Sequence, residues 1–261
     1  MNKQKKVELF NTTFDNLTMK EAIKQIEIII ERNKINDNYS YVVTPNIDHI
    51  VNVNTNKEFK EVYDNADLVL VDGMPIVKLS NIFGTPLKEK VSGSDLTPEL
   101  FRLAQKEQYR VFIFGSKEGV AETAIDKIKR ECSYNFPISC YSPPFGFEKN
   151  SRKLDECISY IENFKPDILL VSLGSPKGEL FIFNNLNTIK VPISFQIGAS
   201  IDFVAGTIKR APFWMQNGGL EWFYRFLQEP KRMFKRYFIK DSLFIKIIFQ
   251  EIIRKIGGNS K

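Results

Sequence analysis

The chain has 261 residues, 43% of them hydrophobic, and a formal net charge of +6, which suits one domain with a sizeable core and room for a small appendage. His49 is the only histidine, and Cys132, Cys140 and Cys157 form no C-x-x-C pair. Ser-His-Asp or Cys-His catalysis and multi-histidine metal sites are therefore set aside, and the thiols read as reduced cytosolic cysteines. The basic start MNKQKKVELF lacks the apolar core of a signal peptide, and no apolar run approaches the ~20 residues that cross a bilayer, so the expected location is cytoplasmic with at most peripheral membrane contact.

In chain order, VELFNTTFDNL is expected to add edge or antiparallel strands, and an amphipathic helix follows from Thr18, with Glu21 at the capping-box position. Tyr41–Val43, Leu68–Val71, Val111–Phe114, Ile168–Val171 and Ile193–Ile197 read as strands. Their nearly continuous hydrophobicity is what a strand covered on both faces requires. Helical patterns alternate with them, through Met74–Ile82, from Lys117 and from Ser151, while Ile201–Val204 is expected as a further edge or antiparallel strand. The alternation predicts an α/β fold with a mainly parallel sheet. Residues 1–205 are expected to form this α/β domain and residues 206–261 a helical, basic and aromatic appendage.

Small, polar or acidic residues gather where the strands end: Thr44-Pro45-Asn46, Asp72-Gly73, Gly115-Ser116, Gly174-Ser175-Pro176 and Gly198-Ala199-Ser200. Open α/β sheets bind ligands at the carboxyl ends of their strands, where glycine admits close approach and helix starts offer N–H groups to anions. Five such turns together favour a nucleotide-sized ligand. Neither G-x-x-x-x-G-K-[ST] nor a strand-following G-x-G-x-x-G is present, which argues against a P-loop enzyme or a nicotinamide or flavin dehydrogenase.

Asp72 has two readings. It caps the helix through Met74–Ile82, or it points into the strand-end crevice, where partial burial favours its neutral acid and makes its carboxylate a useful base. Ser92-Gly93-Ser94-Asp95 likewise reads either as a helix cap provided by Ser94 or Asp95, or as a loop that bonds sugar hydroxyls. His49 reads as a packed or surface residue of the helix after Asn46.

The segment from Gly206 to Lys240 holds both tryptophans, Trp214 and Trp222. It carries Lys209, Arg210, Arg225, Lys231, Arg232, Lys235, Arg236 and Lys240 against only Glu221 and Glu229. Guanidinium groups grip phosphate oxygens in pairs, so this segment expects a phosphate-bearing partner, or a membrane that carries one. Pro230 is expected to open a helix on which Arg232 and Arg236, four apart, share a face with Lys235 beside them. Residues 241–256 are amphipathic, with Lys246, Gln250, Glu251, Arg254 and Lys255 on one side, and are expected to dock on the main domain or lie in a membrane interface. Exposed apolar surface on the appendage also points to self-association.

These motifs, ADLVLVDG, KVSGSDL, GSPKGE, GASIDFVAG and KRAPFWMQNGGLEWFYRFLQEPKRMFKRY, resemble those of the WecG/TagA/CpsF glycosyltransferases in order and spacing from about Leu9 to Tyr237. The resemblance implies a Rossmann-like core with helices on both faces. It also implies an inverting, metal-independent hexosyltransferase with no cofactor, and no DxD motif stands at a strand end. The donor would be a UDP-sugar and the acceptor a polyprenyl-diphosphate-linked saccharide at the inner face of the bacterial membrane. The product would serve teichoic acid, capsule or exopolysaccharide synthesis. By the same resemblance Asp72 is the base, with Thr44 and Asn46 as the T-x-N pair. Arg225, Arg232 and the Lys235/Arg236 pair engage diphosphate and Asp202 lies near the nucleotide; Lys90 and Ser92, Gly93, Ser94 and Asp95 of the KVSGSDL motif, with the strand-end residues Gly115, Ser116, Gly174 and Gly198, are the remaining candidates for substrate contacts.

Two positions depart from the pattern. Relatives commonly read arginine where this chain has Lys90, which keeps the charge and loses the fork. They commonly read G-x-P-K-Q-E where this chain has Gly178, which removes a side-chain amide near the sugar, so the donor is expected to differ from an N-acetylmannosamine-type sugar or to be held differently. The competing readings are a nucleotide-sugar hydrolase or epimerase, which would turn over without acceptor, and a non-catalytic binder of anionic lipid or nucleic acid. The second leaves the strand-end residues without purpose, and no nucleic-acid partner is expected.

Overall fold

The computed structural model describes residues 6–228, 230 and 242–258, so Arg232, Lys235 and Arg236 lie outside the described residues. The first elements are β1 (Lys6–Leu9), β2 (Thr12–Asp15), α1 (Met19–Asn36), β3 (Ser40–Val43), α2 (Ile47–Thr55), α3 (Lys57–Asp64), β4 (Leu68–Val69), α4 (Met74–Ile82) and α5 (Gly93–Glu107). Then come β5 (Val111–Gly115), α6 (Val120–Glu131), β6 (Ile138–Tyr141), α7 (Ser151–Phe164), β7 (Ile168–Ser172), α8 (Lys177–Ile189), β8 (Ile193–Gln196) and α9 (Ser200–Ala205). The described part closes with α10 (Phe213–Gly218), α11 (Glu221–Gln228) and α12 (Ser242–Gly258). Two compact units result. One comprises Met1–Thr18, Thr44–Ser92 and Arg210–Lys261, the other Met19–Val43 and Gly93–Lys209.

In the second unit β3, β8, β7, β5 and β6 lie side by side in that order, every pair parallel. β5, β7 and β8 are buried along their whole length, which is why their sequences carry no polar alternation, and the edge strand β6 is half-buried throughout. Phe114 of β5 stacks on Phe181 of α8 at 4.8 Å between ring centroids and meets Phe147 edge-on at 5.6 Å. The chain is an α/β protein with a parallel sheet flanked by helices, consistent with the Rossmann-like core that the sequence predicts.

In the first unit β1 and β2 form the expected antiparallel hairpin, closed by Phe10 and Asn11 with φ of 54° and 58°. Asp15, buried at the end of β2, accepts the Val69 N–H at 2.9 Å and lies 3.7 Å from the Lys6 ammonium. Burial is the largest influence on its carboxyl and holds it above the usual carboxylate range, against the Val69 bond and Lys6. The folded protein therefore holds this proton more tightly than the unfolded chain does. Stability from this group is fully present below the unfolded value and is lost as pH rises towards the folded one. Asp15→Asn keeps an acceptor for Val69 without the buried charge. Its melting temperature at neutral pH is expected to match or exceed the parent's, whereas Asp15→Ala strands a buried N–H and costs about 1–3 kcal/mol in denaturant unfolding.

The structure corrects several expectations. Ile201–Val204 is not a strand but most of helix α9, ended by Gly206 in the left-handed region at φ 80°. The stretch is too short for its apolar residues to distinguish the two periods, and the glycine stop decides for the helix. α6 starts at Val120 and not at Lys117, because Lys117 accepts the Val120 N–H in a preceding turn. β4 is limited to Leu68–Val69, although Leu70 and Val71 stay buried. α12 docks through Phe244, which meets Phe10 edge-on at 5.1 Å, and through Ile247. Glu251, expected on its polar side, is buried instead, because the Phe10 N–H of the hairpin turn finds its acceptor there at 3.3 Å. Ile245, Phe249, Ile253 and Ile256 of the same helix remain exposed.

Candidate active site

Asp72 follows β4 and is half-buried. It does not cap α4: the N-cap is Gly73, at φ 149°, and no side-chain bond caps that helix. Two backbone bonds fix the surroundings of Asp72. Its own N–H donates to the Pro45 carbonyl at 2.9 Å, and the Val91 N–H donates to the Val71 carbonyl at 2.8 Å. The turn Thr44–Asn46 and the segment Lys90–Ser92 are thereby stitched to either side of the aspartate. Asn16 holds the approach to Lys90, donating to the Pro86 carbonyl at 3.0 Å and accepting the Lys88 N–H at 2.8 Å.

Asn46 has a structural duty. Its Oδ1 accepts the Asp48 and His49 N–H groups at 3.0 and 3.4 Å, and its own N–H donates to His49 Nδ1 at 3.1 Å, completing a capping box for α2. Since Nδ1 accepts, Nε2 carries the ring proton. The imidazole is half-buried and stacks on Phe59 at 6.3 Å between ring centroids.

The C-terminal motifs of the same unit approach α4. A Cβ on Gly219, the C-cap of α10, would stand 3.3 Å from Met74 Cβ, and Lys78 Nζ donates to the Gly218 carbonyl at 3.2 Å. Arg210 lies 3.8 Å from Glu221 and joins the R-A-P motif to the start of α11. Arg225 is on α11.

In the second unit the strand-end candidates also converge. The Ser116 N–H donates to the Ser172 carbonyl at 2.8 Å, and Ser172 Oγ donates to the Gly198 carbonyl at 2.6 Å, so the turns after β5, β7 and β8 are bonded in a row. Gly115 has φ 107°, and a Cβ there would meet the Ser172 carbonyl oxygen at 2.7 Å. Gly115→Ala is expected to cost about 2–4 kcal/mol, through strain and a backbone clash, and to lower the melting temperature by roughly 5–15 °C. A thermal scan checks it.

Gly93, Ser94 and Asp95 lie in the first turn of α5, so neither Ser94 nor Asp95 precedes the helix as a cap. α5 packs against α9, which carries Asp202. The Asp202 carbonyl accepts the Thr207 N–H at 3.1 Å and its carboxylate faces the Thr207 hydroxyl at 3.4 Å.

Two side chains missed in the sequence stand among these turns. Lys177, at the start of α8, pairs with Glu148 at 2.8 Å and lies 4.9 Å from the Phe147 ring centroid, and its ammonium holds the Glu148 carboxyl below the ordinary value. Its signal was a lysine directly after Gly174-Ser175-Pro176. Gln196 ends β8, and its signal was an amide inside an apolar strand. Among the described residues, no group of three or more His, Cys, Asp or Glu side chains is placed to hold a metal ion. No described helix is long and apolar enough to cross a membrane.

The sequence model of the Glycosyl transferase WecG/TagA/CpsF family matches residues 7–257. The chain is 27% identical over 228 residues to an N-acetylglucosaminyldiphosphoundecaprenol N-acetyl-beta-D-mannosaminyltransferase of Staphylococcus aureus (strain MRSA252), covering 87% of each chain. It is 32% identical over 196 residues to the protein of the same description from Bacillus spizizenii (strain ATCC 23059 / NRRL B-14472 / W23), covering 74% of this chain and 73% of that one. It is 31% identical over 176 residues to its Bacillus subtilis (strain 168) counterpart, covering 67% of this chain and 66% of that one.

Proposed function

The chain belongs to the WecG/TagA/CpsF family of glycosyl transferases, and we propose that it moves a sugar, with inversion, from a UDP-sugar to a polyprenyl-diphosphate-linked saccharide. The similar proteins are named for an N-acetylglucosaminyldiphosphoundecaprenol acceptor, which is the acceptor this reading adopts. The observation that carries it is the pair of backbone bonds that set Asp72 between Thr44–Asn46 and Lys90–Ser92.

Asp72 takes the proton of an acceptor hydroxyl as the oxygen forms its bond to the anomeric carbon from the face opposite UDP. The bond from that carbon to the phosphate oxygen breaks, and UDP leaves with the electron pair. Charge grows on the departing diphosphate. The role assigned to Lys90 is that of a cation for it, and the donor is assigned to the turns at Gly174 and Gly198, where a Cβ would meet nothing closer than 3.8 Å and a ligand can approach the backbone. The role assigned to the appendage, residues 206–261, is to bring Arg225, Arg232, Lys235 and Arg236 to the lipid diphosphate and to rest on the membrane. Phe213 and Trp214 of α10 are 74% and 65% exposed, which favours a peripheral contact with the inner face of the membrane.

The test offers a panel of UDP-sugars and a short-chain lipid-diphosphate-N-acetylglucosamine, and reads product mass and anomeric configuration. One new glycosidic bond of inverted configuration is expected. Release of UDP with no acceptor product, at the full rate and with any donor, would replace the reading with a hydrolase or epimerase.

A further inference from the structure

Gln196 is 7% exposed at the end of β8, beneath the Gly198 turn. Its Oε1 accepts the Gly198 N–H at 2.6 Å, and its Nε2 donates to Glu179 Oε2 at 3.4 Å. Glu179 is itself 2% exposed, in the first turn of α8. The carboxamide thus ties the turn after β8 to the helix after β7. An amide nitrogen carries two hydrogens, and only one has a protein acceptor among the described residues. A buried N–H with no acceptor costs free energy unless something arrives to take it.

The space for this side chain comes from Gly178. A Cβ there would lie 2.7 Å from Gln196 Cγ, closer than packed atoms tolerate, with tight contacts of 3.1 Å to Nε2 and 3.2 Å to Cδ. A larger residue at 178 and the observed placement of the Gln196 side chain exclude each other. A single carboxamide therefore reaches this point, and it comes from the strand and not from the helix.

We propose that Gln196 is a specificity-determining residue of the donor site, presenting its second amide hydrogen to the donor sugar, and that Gly178 is the partner that makes room for it. The inference rests on the donor reading given above, which places the sugar nucleotide at the Gly174 and Gly198 turns. The sugar class that fits is one with an acceptor oxygen facing the amide, a hydroxyl or the carbonyl of an N-acyl group. The amide near the sugar that glycine at 178 removes from the helix is supplied from the neighbouring strand.

The test compares the parent with Gln196→Ala, Gly178→Ala and the exchange Gly178→Gln/Gln196→Gly. Each is measured for transfer kinetics across the UDP-sugar panel, for UDP affinity and for melting temperature. Gln196→Ala is expected to raise the KM for the preferred donor about tenfold and to narrow its lead over other sugars, with UDP affinity within about twofold. Gly178→Ala alone lowers the melting temperature, and adding Gln196→Ala restores it. The exchanged variant folds, with a changed order of donors. An unaltered donor order and KM in both Gln196→Ala and the exchange, in a parent that transfers normally, would overturn this inference alone. A parent that transfers nothing from any UDP-sugar and binds no UDP would overturn the donor reading and this inference with it.

Discussion

Asp72→Asn is expected to abolish sugar transfer, by about a thousandfold or more in kcat, while UDP binds within about twofold of the parent affinity. The substitution keeps the size and hydrogen-bonding outline of the side chain and removes its ability to accept a proton. The backbone bonds around residue 72 use only main-chain atoms, the N–H to Pro45 and the Val71 carbonyl to Val91, so they survive the change. Gly73 and not Asp72 is the N-cap of α4, so no helix cap is lost either. The melting temperature should therefore stay within a few degrees, which separates loss of chemistry from loss of fold. Single-turnover transfer with saturating donor and acceptor isolates the step in which the proton moves. Full activity in the asparagine variant would remove this carboxylate from the mechanism and leave the family's D-G motif with a structural role.

Most of the architecture was legible because buried parallel strands are apolar throughout. Val111–Phe114 and Ile168–Val171 announced β5 and β7 by that property alone, and both extend by one small residue, Gly115 and Ser172. The signal fails for short stretches. Ile-Asp-Phe-Val at 201–204 fits a strand as well as a turn of helix, and only Gly206 chooses between them. It fails again where tertiary need overrides a polar pattern, as at Glu251, whose carboxylate serves an N–H some 240 positions away in the chain.

For the candidate site, the individual turns could be read but not their grouping. No local pattern says that Asp72 bonds to Pro45 or Val91 to Val71, because those bonds join segments separated by 20 residues or more. Gln196 shows the same limit. In sequence it is one amide in an apolar run, and only its distance to the site of a missing Cβ on Gly178 gives it a role. A departure at one position and a polar residue at another are a single fact about packing.

Replacing Arg232 and Arg236 together with alanine should reduce use of the lipid-diphosphate acceptor by about a hundredfold and leave slow hydrolysis of the UDP-sugar unchanged. The two arginines lie outside the described residues, and the expectation comes from their spacing of four and from guanidinium chemistry. Each charge-assisted contact to a phosphate is worth about 1.5–3 kcal/mol, so two account for the factor. Their loss should also weaken sedimentation with vesicles that contain anionic lipid, and 0.5 M salt should weaken the parent in the same way. The apolar faces left open on α10 and α12, with Trp214 and Phe249 among them, set a residual affinity that salt does not remove. If the double variant slows donor hydrolysis as strongly as transfer, the arginines serve the leaving UDP and not the acceptor. Lys90 would then share that work, and Lys90→Ala would be expected to produce the same paired loss. If hydrolysis is untouched, the division holds: cations of the main chain fold for the donor, cations of the C-terminal segment for the lipid.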